Sequence, residues 1–549
     1  MMWTLLATLG TPAFGCGGLF CNVAQPVIQN AERIVFDIDE ETKTVETHVQ
    51  ISYEGPSEQF AWVVPVAKQP ELFLSTQTLF DTLVTQTAPL FNLNIIEEGE
   101  CTFGRNRGVA LDSAEDASSS APPASPGNGG VKVVDQGQVG PFETVTLLAQ
   151  SSEALLQFLQ ENSYDLPDDL QPVLDPYIAD EAYFVALKLR KDRDVGDIAP
   201  LGMRYEGDEA SIPIQLTSIA TADDLRLEVY VFAERRVVPR TYLHVRINEA
   251  AIDWWNFGQN YPDVITQAAD EAGGQAFATD YFGAPTAGYE VNPIIESELL
   301  ASPSGLEWVF TAAFQTGVQV NNEMANAIAT AIDLPDAIDP IDFVGCPDCF
   351  EGWDSGPDFD REGATAYFME AVVEPLRDSQ DLFEGRRLTR MTSSLSANEM
   401  TVDPVFTQNA DMDDESNFVS NVHNADLVYE CRGGKRRDKA ERRLELSDGR
   451  VIFLPSEQWI ADNETTELEM IEELGATKAQ VIERTSSSGQ PEVLFDFTSD
   501  LFDLTNQHNS SIRGLLSGCG GCQANGGGTA PAAALLLALG LVGLRRRDR

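Results

Sequence analysis

The chain has 549 residues, of which 43% are hydrophobic and 9% aromatic, enough for roughly two to four domains with buried cores. This composition excludes wholesale disorder, a coiled coil and a collagen-like fold. The 87 acidic residues outnumber the 36 basic ones and give a formal net charge of −51. Because a field of that sign repels phosphate backbones, the sequence predicts no nucleic-acid partner over a broad surface.

The first 15 residues, MMWTLLATLGTPAFG, are typical of a short signal peptide. An apolar stretch is followed by small residues directly before Cys16, although no basic residue precedes it. A conventional cleavage, a lipoprotein cleavage that leaves a lipidated Cys16, and a buried N-terminal strand are the alternatives. We expect the chain to be exported.

Residues 33–66 predict a hairpin-rich β region. Ile34, Phe36 and Ile38 fall on one face of a strand, and the segment FAWVVPV at 60–66 predicts a more buried strand. Ser75 is predicted to cap a helix over 76–87, and a strand follows at 91–96. The Ser-, Ala-, Pro- and Gly-rich residues 105–130 predict a flexible linker.

Further strands and helices alternate over the rest of the chain. Strands are predicted at 145–150 and 182–190, followed by a hairpin of 212–220 with 225–233. Residues 442–455 predict another hairpin, with a turn at Asp448 and Gly449. Together these patterns predict an α+β fold with largely antiparallel sheets, hairpins and interspersed short helices.

The composition shifts along the chain suggest a division into regions. Residues 1–15 are the predicted signal peptide, and the flexible linker 105–130 separates the first two α+β regions. The predicted regions are 16–104, 131–300, a helical segment with a Cys loop at 301–365, 366–510, a Gly-rich spacer at 511–529, and an apolar helix with an Arg tail at 530–549.

The C-terminal tail combines that spacer with an uncharged run at 530–544 and four arginines within 545–549. Fifteen helical residues span only about 22 Å, which is short for a bilayer core of about 30 Å. The tail resembles the MYXO-CTERM sorting domain of myxobacterial exported proteins, in which a cysteine precedes the helix and the tail is processed. The resemblance implies a sorting role for Cys519 or Cys522 and attachment to the membrane; a plain stop-transfer anchor is the alternative.

The eight cysteines favour disulfides, because an even number occurs in a chain that we expect to be exported. Besides Cys519 and Cys522, the candidates are Cys16, Cys21, Cys101, Cys346, Cys349 and Cys431. Cys16 and Cys21 are close enough for a tight loop. Cys101 and Cys431 could pair over a long loop, but the sequence leaves the connectivity open.

The C-x-x-C motif formed by Cys346 and Cys349 has four interpretations: a structural disulfide, a zinc site, a redox pair or free thiols. A redox pair needs a thioredoxin-like βαβ context, which the neighbouring Asp- and Pro-rich loops do not supply. A zinc site needs two more ligands, and none of the four histidines of the chain is near in sequence. The motif therefore favours a disulfide.

Few residue patterns indicate catalysis or cofactor binding. His244 alternates with polar residues, which predicts a position on the polar face of a strand and not a catalytic base. The markers G-x-S-x-G, G-x-x-x-x-G-K-[ST] and H-E-x-x-H are missing from the sequence. We predict no cofactor, with calcium at the acidic run 410–417 as a secondary hypothesis against a solvated acidic loop.

A basic segment at 431–450 interrupts the acidic chain, with eight of the 36 basic residues. It could dock on the acidic surface of the same molecule or bind an anionic envelope polymer. Charge balancing within the molecule is the favoured interpretation, and a protein partner is not specified by the sequence.

Several passages resemble the bacterial exported family catalogued as domain of unknown function 2330. They are CGGLFCNVAQPVIQNAERIVFDID, QISYEGPSEQFAWVVPV, LTSIATADDLRLEVYVFAERRVVPR, INEAAIDWW, YPDVITQAADEAGGQAF and MTSSLSANEMTVDPVF. The resemblance extends from about Cys16 to Cys431 and implies an exported surface or envelope protein. It implies no reaction, substrate or site.

The sequence thus leads to three functional hypotheses. The first is a non-enzymatic, surface- or envelope-anchored protein with a structural or adhesive role. The second is a carbohydrate- or calcium-dependent binding module of the same surface, and the third is an extracellular hydrolase.

Overall fold

The computed structural model describes residues 31–50, 61–102, 131–162, 164, 170–189, 199–219, 221, 223–335, 337–350, 359–412 and 418–516. Several predicted features lie outside the described residues. They are the signal peptide, Cys16, Cys21, the whole linker 105–130, Cys519, Cys522 and the helix with its Arg tail at 530–549. No helix among the described residues is long and apolar enough to cross a membrane.

The strands, in chain order, are β1 Ala31–Asp39, β2 Thr44–Gln50, β3 Ala61–Val66, β4 Glu71–Leu74, β5 Leu90–Glu98, β6 Val131–Val139, β7 Phe142–Ala149, β8 Tyr183–Leu189, β9 Leu201–Glu206, β10 Ala210–Ser211, β11 Leu225–Ala233, β12 Val237–Pro239, β13 Leu243–Ile247, β14 Ala276–Gly283, β15 Arg387–Leu395, β16 Val405–Gln408, β17 Val422–Glu430, β18 Glu441–Glu445, β19 Val451–Leu454, β20 Ala479–Arg484 and β21 Glu492–Asp496.

The helices are α1 Gln77–Thr87, α2 Ser152–Glu161, α3 Gln171–Ala179, α4 Ile214–Thr217, α5 Tyr261–Glu271, α6 Ile295–Ala301, α7 Gly305–Phe314, α8 Asn322–Ala331, α9 Pro340–Gly345, α10 Arg361–Phe368, α11 Glu374–Asp381, α12 Glu457–Asp462, α13 Glu467–Ile471 and α14 Thr498–Leu516.

The largest sheet has ten strands in the order β21-β20-β13-β14-β15-β11-β1-β2-β9-β4. Its pairs are antiparallel except β13 with β14 and β1 with β11. Three smaller sheets have the orders β3-β8-β7-β6, β19-β18-β17-β5 and β10-β16-β12. The prediction of an α+β fold with largely antiparallel sheets is therefore confirmed.

The ten-stranded sheet is covered on both faces. Ile34, Phe36 and Ile38 of β1 point into a core that also contains Trp62 of β3 and Val185 of β8. Because side chains alternate along a strand, the next residues of the same strands point to the opposite face. There helices α1 and α5 pack against the sheet. The predicted alternation of the first strand is thus confirmed.

Helices α6 to α11 surround a separate apolar core. Trp308 of α7 is fully buried there, and its indole N–H donates to the Thr365 hydroxyl at 3.0 Å. Between α10 and α11 the chain forms a π-helical turn, Met369–Val373. Cys346 and Cys349 flank this core, and helix α14 continues to Leu516, beyond the beginning of the spacer predicted at 511–529.

Two local predictions were wrong. Residues 214–217 form helix α4 and not a strand of a hairpin, because Ile214 and Leu216 enter two different cores on either side of it. Helix α1 is capped by Thr76, whose hydroxyl accepts a bond from the Thr78 N–H, and not by Ser75. The hairpin of β18 and β19 forms as predicted, with Gly449 at a φ of 88°.

Candidate functional site

A cluster of charged side chains lies on the helix-covered face of the ten-stranded sheet. Arg33, Glu228 and Arg390 come from the neighbouring strands β1, β11 and β15, and Asp280 comes from β14. On β11 the alternate residues, such as Val229, point into the large core on the other face. The alternation of each strand therefore places these charges side by side under helices α1 and α5.

Glu228 links the two arginines. Its Oε2 accepts a hydrogen bond from Arg33 Nε at 2.7 Å and one from the Tyr230 hydroxyl at 3.2 Å. The same oxygen lies 3.6 Å from Nη2 of Arg390. Burial by itself raises the pKa of Glu228. The charges of Arg390 and Arg33 outweigh this effect, so the pKa of Glu228 lies below its ordinary value.

Asp280 has both carboxylate oxygens occupied. Oδ1 accepts from the Tyr261 hydroxyl, and Oδ2 accepts from the Thr392 hydroxyl. Oδ2 also lies 3.2 Å from Nε of Arg390. Burial raises the pKa of Asp280 in spite of the opposing charge of Arg390. This carboxyl group is therefore a fixed acceptor inside the network.

Arg390 is the least satisfied member of the cluster. Its side chain is only 5% exposed, yet Nη1 has no hydrogen-bond partner among the described residues. A buried donor without a partner costs about 1–3 kcal/mol, and more for a charged group. Its guanidinium also lies over the ring of Tyr230, with its central carbon 5.3 Å from the ring centroid.

A pocket of about 290 Å³ opens beside this cluster, between the sheet and helices α1 and α5. Its polar lining includes Arg226, Glu228, Arg390 and Thr392. Its apolar lining is formed by Val84, Pro89, Phe91, Pro262 and Ile265. A cavity with convergent polar groups and apolar walls can hold a small ligand.

Gly258 brings a loop close to one wall of this pocket. Its φ is 70°, and a Cβ built there would lie 2.2 Å from the ring of Phe91. Phe91 in turn packs edge-on against Trp254, with ring centroids 5.5 Å apart. The wall therefore depends on a glycine at this position.

Two histidines of the sheets, His244 and His423, contact neighbouring side chains. His244 lies on β13 and is buried, with Nδ1 2.9 Å from Glu483 Oε1 and Nε2 2.9 Å from the Thr279 hydroxyl. Burial lowers its pKa. The His423 ring stacks on Phe91, with centroids 4.8 Å apart. Both rings make contacts that position them within the sheets.

His48 forms a contact chain that resembles a hydrolase triad. Its Nδ1 lies 2.8 Å from the Ser75 hydroxyl, and its Nε2 lies 3.1 Å from Glu46 Oε1. However, His48 is 1% exposed and Ser75 is 2% exposed. A nucleophilic hydroxyl must reach a substrate carbonyl, so this burial favours a structural role for the contact chain.

Four of the predicted disulfide cysteines lie within the described residues. Cys101 is joined to Cys431, which is 330 positions away, and Cys346 is joined to Cys349. The first bond directly follows β5 and β17, which pair in parallel. Sequence alone left this long-range pairing open.

The acidic run 410–417 is described only up to Met412. There Oδ2 of Asp411 accepts a hydrogen bond from the Gly489 N–H at 2.7 Å. Within the described part of the chain, no group of three or more His, Cys, Asp or Glu side chains could hold a metal ion. The calcium hypothesis stays untested for Asp413, Asp414 and Glu415.

Seven of the eight basic residues of the segment 431–450 form ion pairs with acidic residues of the same molecule. Arg443 contacts Glu98, Glu430 and Glu445 at 2.6–3.1 Å. The other ion pairs are Arg432 with Glu98, Lys435 with Glu441, Arg436 with Asp438, Arg437 with Glu97, Arg442 with Glu467 and Arg450 with Asp448. These contacts agree with charge balancing within the molecule.

The charged cluster was missed by sequence reasoning. Its members are far apart in the sequence and meet only through the strand order. The available signal was a charged residue inside a predicted or buried strand, namely Glu228 in the largely apolar LRLEVYVFA and Arg390 in RLTRMTSSL. Such a residue in a strand covered on both faces needs a partner.

A family model described as "Uncharacterized protein conserved in bacteria (DUF2330)" matches residues 11–332, more than half of the chain. The chain belongs to this family. The match includes Arg33, Glu228 and Asp280 of the cluster but ends before Arg390, so the resemblance of the segment 391–406 stays a prediction. No curated protein and no solved structure matches the chain.

Proposed function

We propose that this DUF2330 protein is exported and stays attached to the bacterial envelope, where it has a structural or adhesive role without catalysis. The observation that carries the proposal is the bond between Cys101 and Cys431, accompanied by that between Cys346 and Cys349. Disulfides persist in oxidising compartments outside the cytoplasm. The signal-like residues 1–15 and the tail 511–549 support the same location.

The tail supplies the proposed attachment. Either its apolar run at 530–544 is retained in the membrane, or the tail is processed and the protein is held through Cys519 or Cys522. The formal charge of −51 then lies mostly outside the cell, where salt screens it over about 8–10 Å.

The contacts of the histidines support a non-catalytic role. His48 and His244 are buried between hydrogen-bond partners, and His423 stacks on Phe91. His508 lies 2.9 Å from the carbonyl oxygen of Phe453. Each imidazole thus has a neighbour that positions it within the fold.

The redox state of the four described cysteines, read out by their reaction with a maleimide, tests the export. We expect Cys101, Cys431, Cys346 and Cys349 to resist a maleimide in denatured extracts until a reductant is added. A variant without residues 1–15 is the control, and its four thiols should react at once because the cytoplasm keeps them reduced. Free thiols at these positions in the full-length protein would contradict the proposal.

A further inference from the structure

We propose that the pocket beside Arg390 binds a small organic monoanion, with the carboxylate of the ligand on the guanidinium and its apolar body between α1 and α5. This binding does not depend on where the protein is located, and it goes beyond the structural or adhesive role proposed above.

Three of the four carboxylate oxygens of the cluster already accept hydrogen bonds from side chains of the protein. Both oxygens of Asp280 accept hydroxyl bonds, and Oε2 of Glu228 accepts from Arg33 and Tyr230. In contrast, Nη1 of Arg390 has no partner among the described residues although the side chain is 95% buried. Arg390 lines the pocket, so an acceptor on a ligand that reaches its guanidinium would offset this missing hydrogen bond.

Arg226 adds a second cationic side chain to the pocket. It lies two residues before Glu228 on β11, so both side chains point to the same face of the sheet. Arg226 is partly exposed, and no ion pair with another described residue is seen for it. The pocket therefore has one buried and one accessible arginine to receive an anion.

The formal charge of the cluster favours a single negative charge on the ligand. Arg33, Arg226 and Arg390 contribute three positive charges, and Glu228 and Asp280 contribute two negative ones. One excess positive charge is thus placed in a chain whose overall charge is −51. A carboxylate neutralises this excess, whereas a phosphate dianion would also face the neighbouring carboxylates.

The remaining walls suit an apolar ligand body. Val84, Phe91 and Ile265 line the pocket opposite the charged floor, and the volume of about 290 Å³ is near the lower end for ligand pockets. A compact ring or short chain fits this shape better than a polymer. We therefore expect a small aromatic or aliphatic carboxylate.

Calorimetric titration of the disulfide-bonded full chain tests the proposal with three probes of similar shape. Benzoate carries one negative charge, benzamide none, and phenyl phosphate nearly two. We expect saturable benzoate binding in the millimolar range or tighter, and binding of the other two that is at least about tenfold weaker.

Two variants locate the binding. Arg226→Gln should weaken benzoate binding about tenfold without loss of folding, because this side chain is partly exposed. Arg390→Gln should abolish it, with folding checked by the melting temperature. Arg484→Gln removes the same charge from an exposed pair with Glu492 and should leave the affinity within about twofold.

Several outcomes would overturn the proposal. They are no saturable benzoate binding at about 20 mM, equal or tighter binding of benzamide or phenyl phosphate, and benzoate binding that Arg226→Gln leaves unchanged. Because Arg226→Gln is expected to fold, the test stays decisive even if Arg390→Gln does not.

Discussion

Glu323 of helix α8 connects the beginning of helix α1 to the helices that surround the separate apolar core. Its Oε2 accepts hydrogen bonds from the Thr76 hydroxyl at 2.8 Å and from the Gln77 N–H at 2.9 Å. Its Oε1 is buried and has no hydrogen-bond partner among the described residues. Burial raises the pKa of Glu323 to about 7, and the charge of Asp81 adds to the rise. The charged form of this carboxylate is thus stabilised by hydrogen bonds at the helix N-terminus and destabilised by burial.

A change of Glu323→Gln should alter the pH dependence of stability. Between the ordinary pKa of 4.5 and the folded value of about 7, the folded protein holds a proton that the unfolded chain has lost. The free energy of unfolding contributed by this group therefore falls as the pH rises through that window. The glutamine does not titrate, so the melting temperature of the variant relative to wild type should rise across the window.

Melting curves at several pH values provide the measurement. Glu307→Gln, in the first turn of α7 and exposed, is the matched control. A difference between Glu323→Gln and wild type that does not change with pH would contradict this account of Glu323.

The contact chain of Ser75, His48 and Glu46 gives a second prediction at a single residue. Ser75→Ala leaves Nδ1 of His48 without its partner, which should lower the free energy of unfolding by about 1–3 kcal/mol. We expect a fluorophosphonate probe to leave the wild-type protein unlabelled, since Ser75 is 2% exposed. Labelling that Ser75→Ala removes would favour the hydrolase hypothesis.

The two described disulfides differ in what they hold together. Cys101–Cys431 fixes the ends of β5 and β17, whereas Cys346–Cys349 closes a short turn beside the helical core. In the chain-entropy description, a longer closed loop restricts the unfolded chain more. The long-range bond is therefore the more important of the two for stability.

Replacement of each pair by serine tests this difference. We expect the loss of Cys101–Cys431 to lower the free energy of unfolding by about 4 kcal/mol, and the loss of Cys346–Cys349 by about 2 kcal/mol or less. Equilibrium unfolding in urea measures both, and each double variant is the control for the other. Equal losses would contradict the ranking.

For the whole molecule, the net charge of −51 predicts a dependence on salt. Repulsion between like charges destabilises the compact state, and salt shortens its range from about 30 Å at 0.01 M to about 8 Å at 0.15 M. The melting temperature should therefore rise with sodium chloride over this range. A fall would mean that ion pairs such as those of Arg443 outweigh the net repulsion.

The sequence predicts the local features of this fold better than its long-range ones. The faces of β1 and the hairpin of β18 and β19 were predictable, because alternation and a turn at Gly449 depend on neighbouring residues. Helix α4 was not, since its residues are divided between two cores formed by distant segments.

The charged cluster could not be predicted for a similar reason. Arg33 and Arg390 meet through strands β1, β11 and β15, and the order of those strands is not encoded in any local pattern. The parallel pairing of β1 with β11 and the disulfide between Cys101 and Cys431 likewise join residues far apart in the chain. Alternation predicts which face a residue occupies but not its neighbours across the sheet.

Labelling of intact cells with a membrane-impermeant biotin reagent tests the central claim most directly. A cytoplasmic protein of the same cells and a variant without residues 530–549 are the controls. We predict that the full-length protein is labelled before lysis and that the truncated variant is released into the medium. Labelling only after lysis, as for the cytoplasmic control, would contradict an exported and envelope-attached protein.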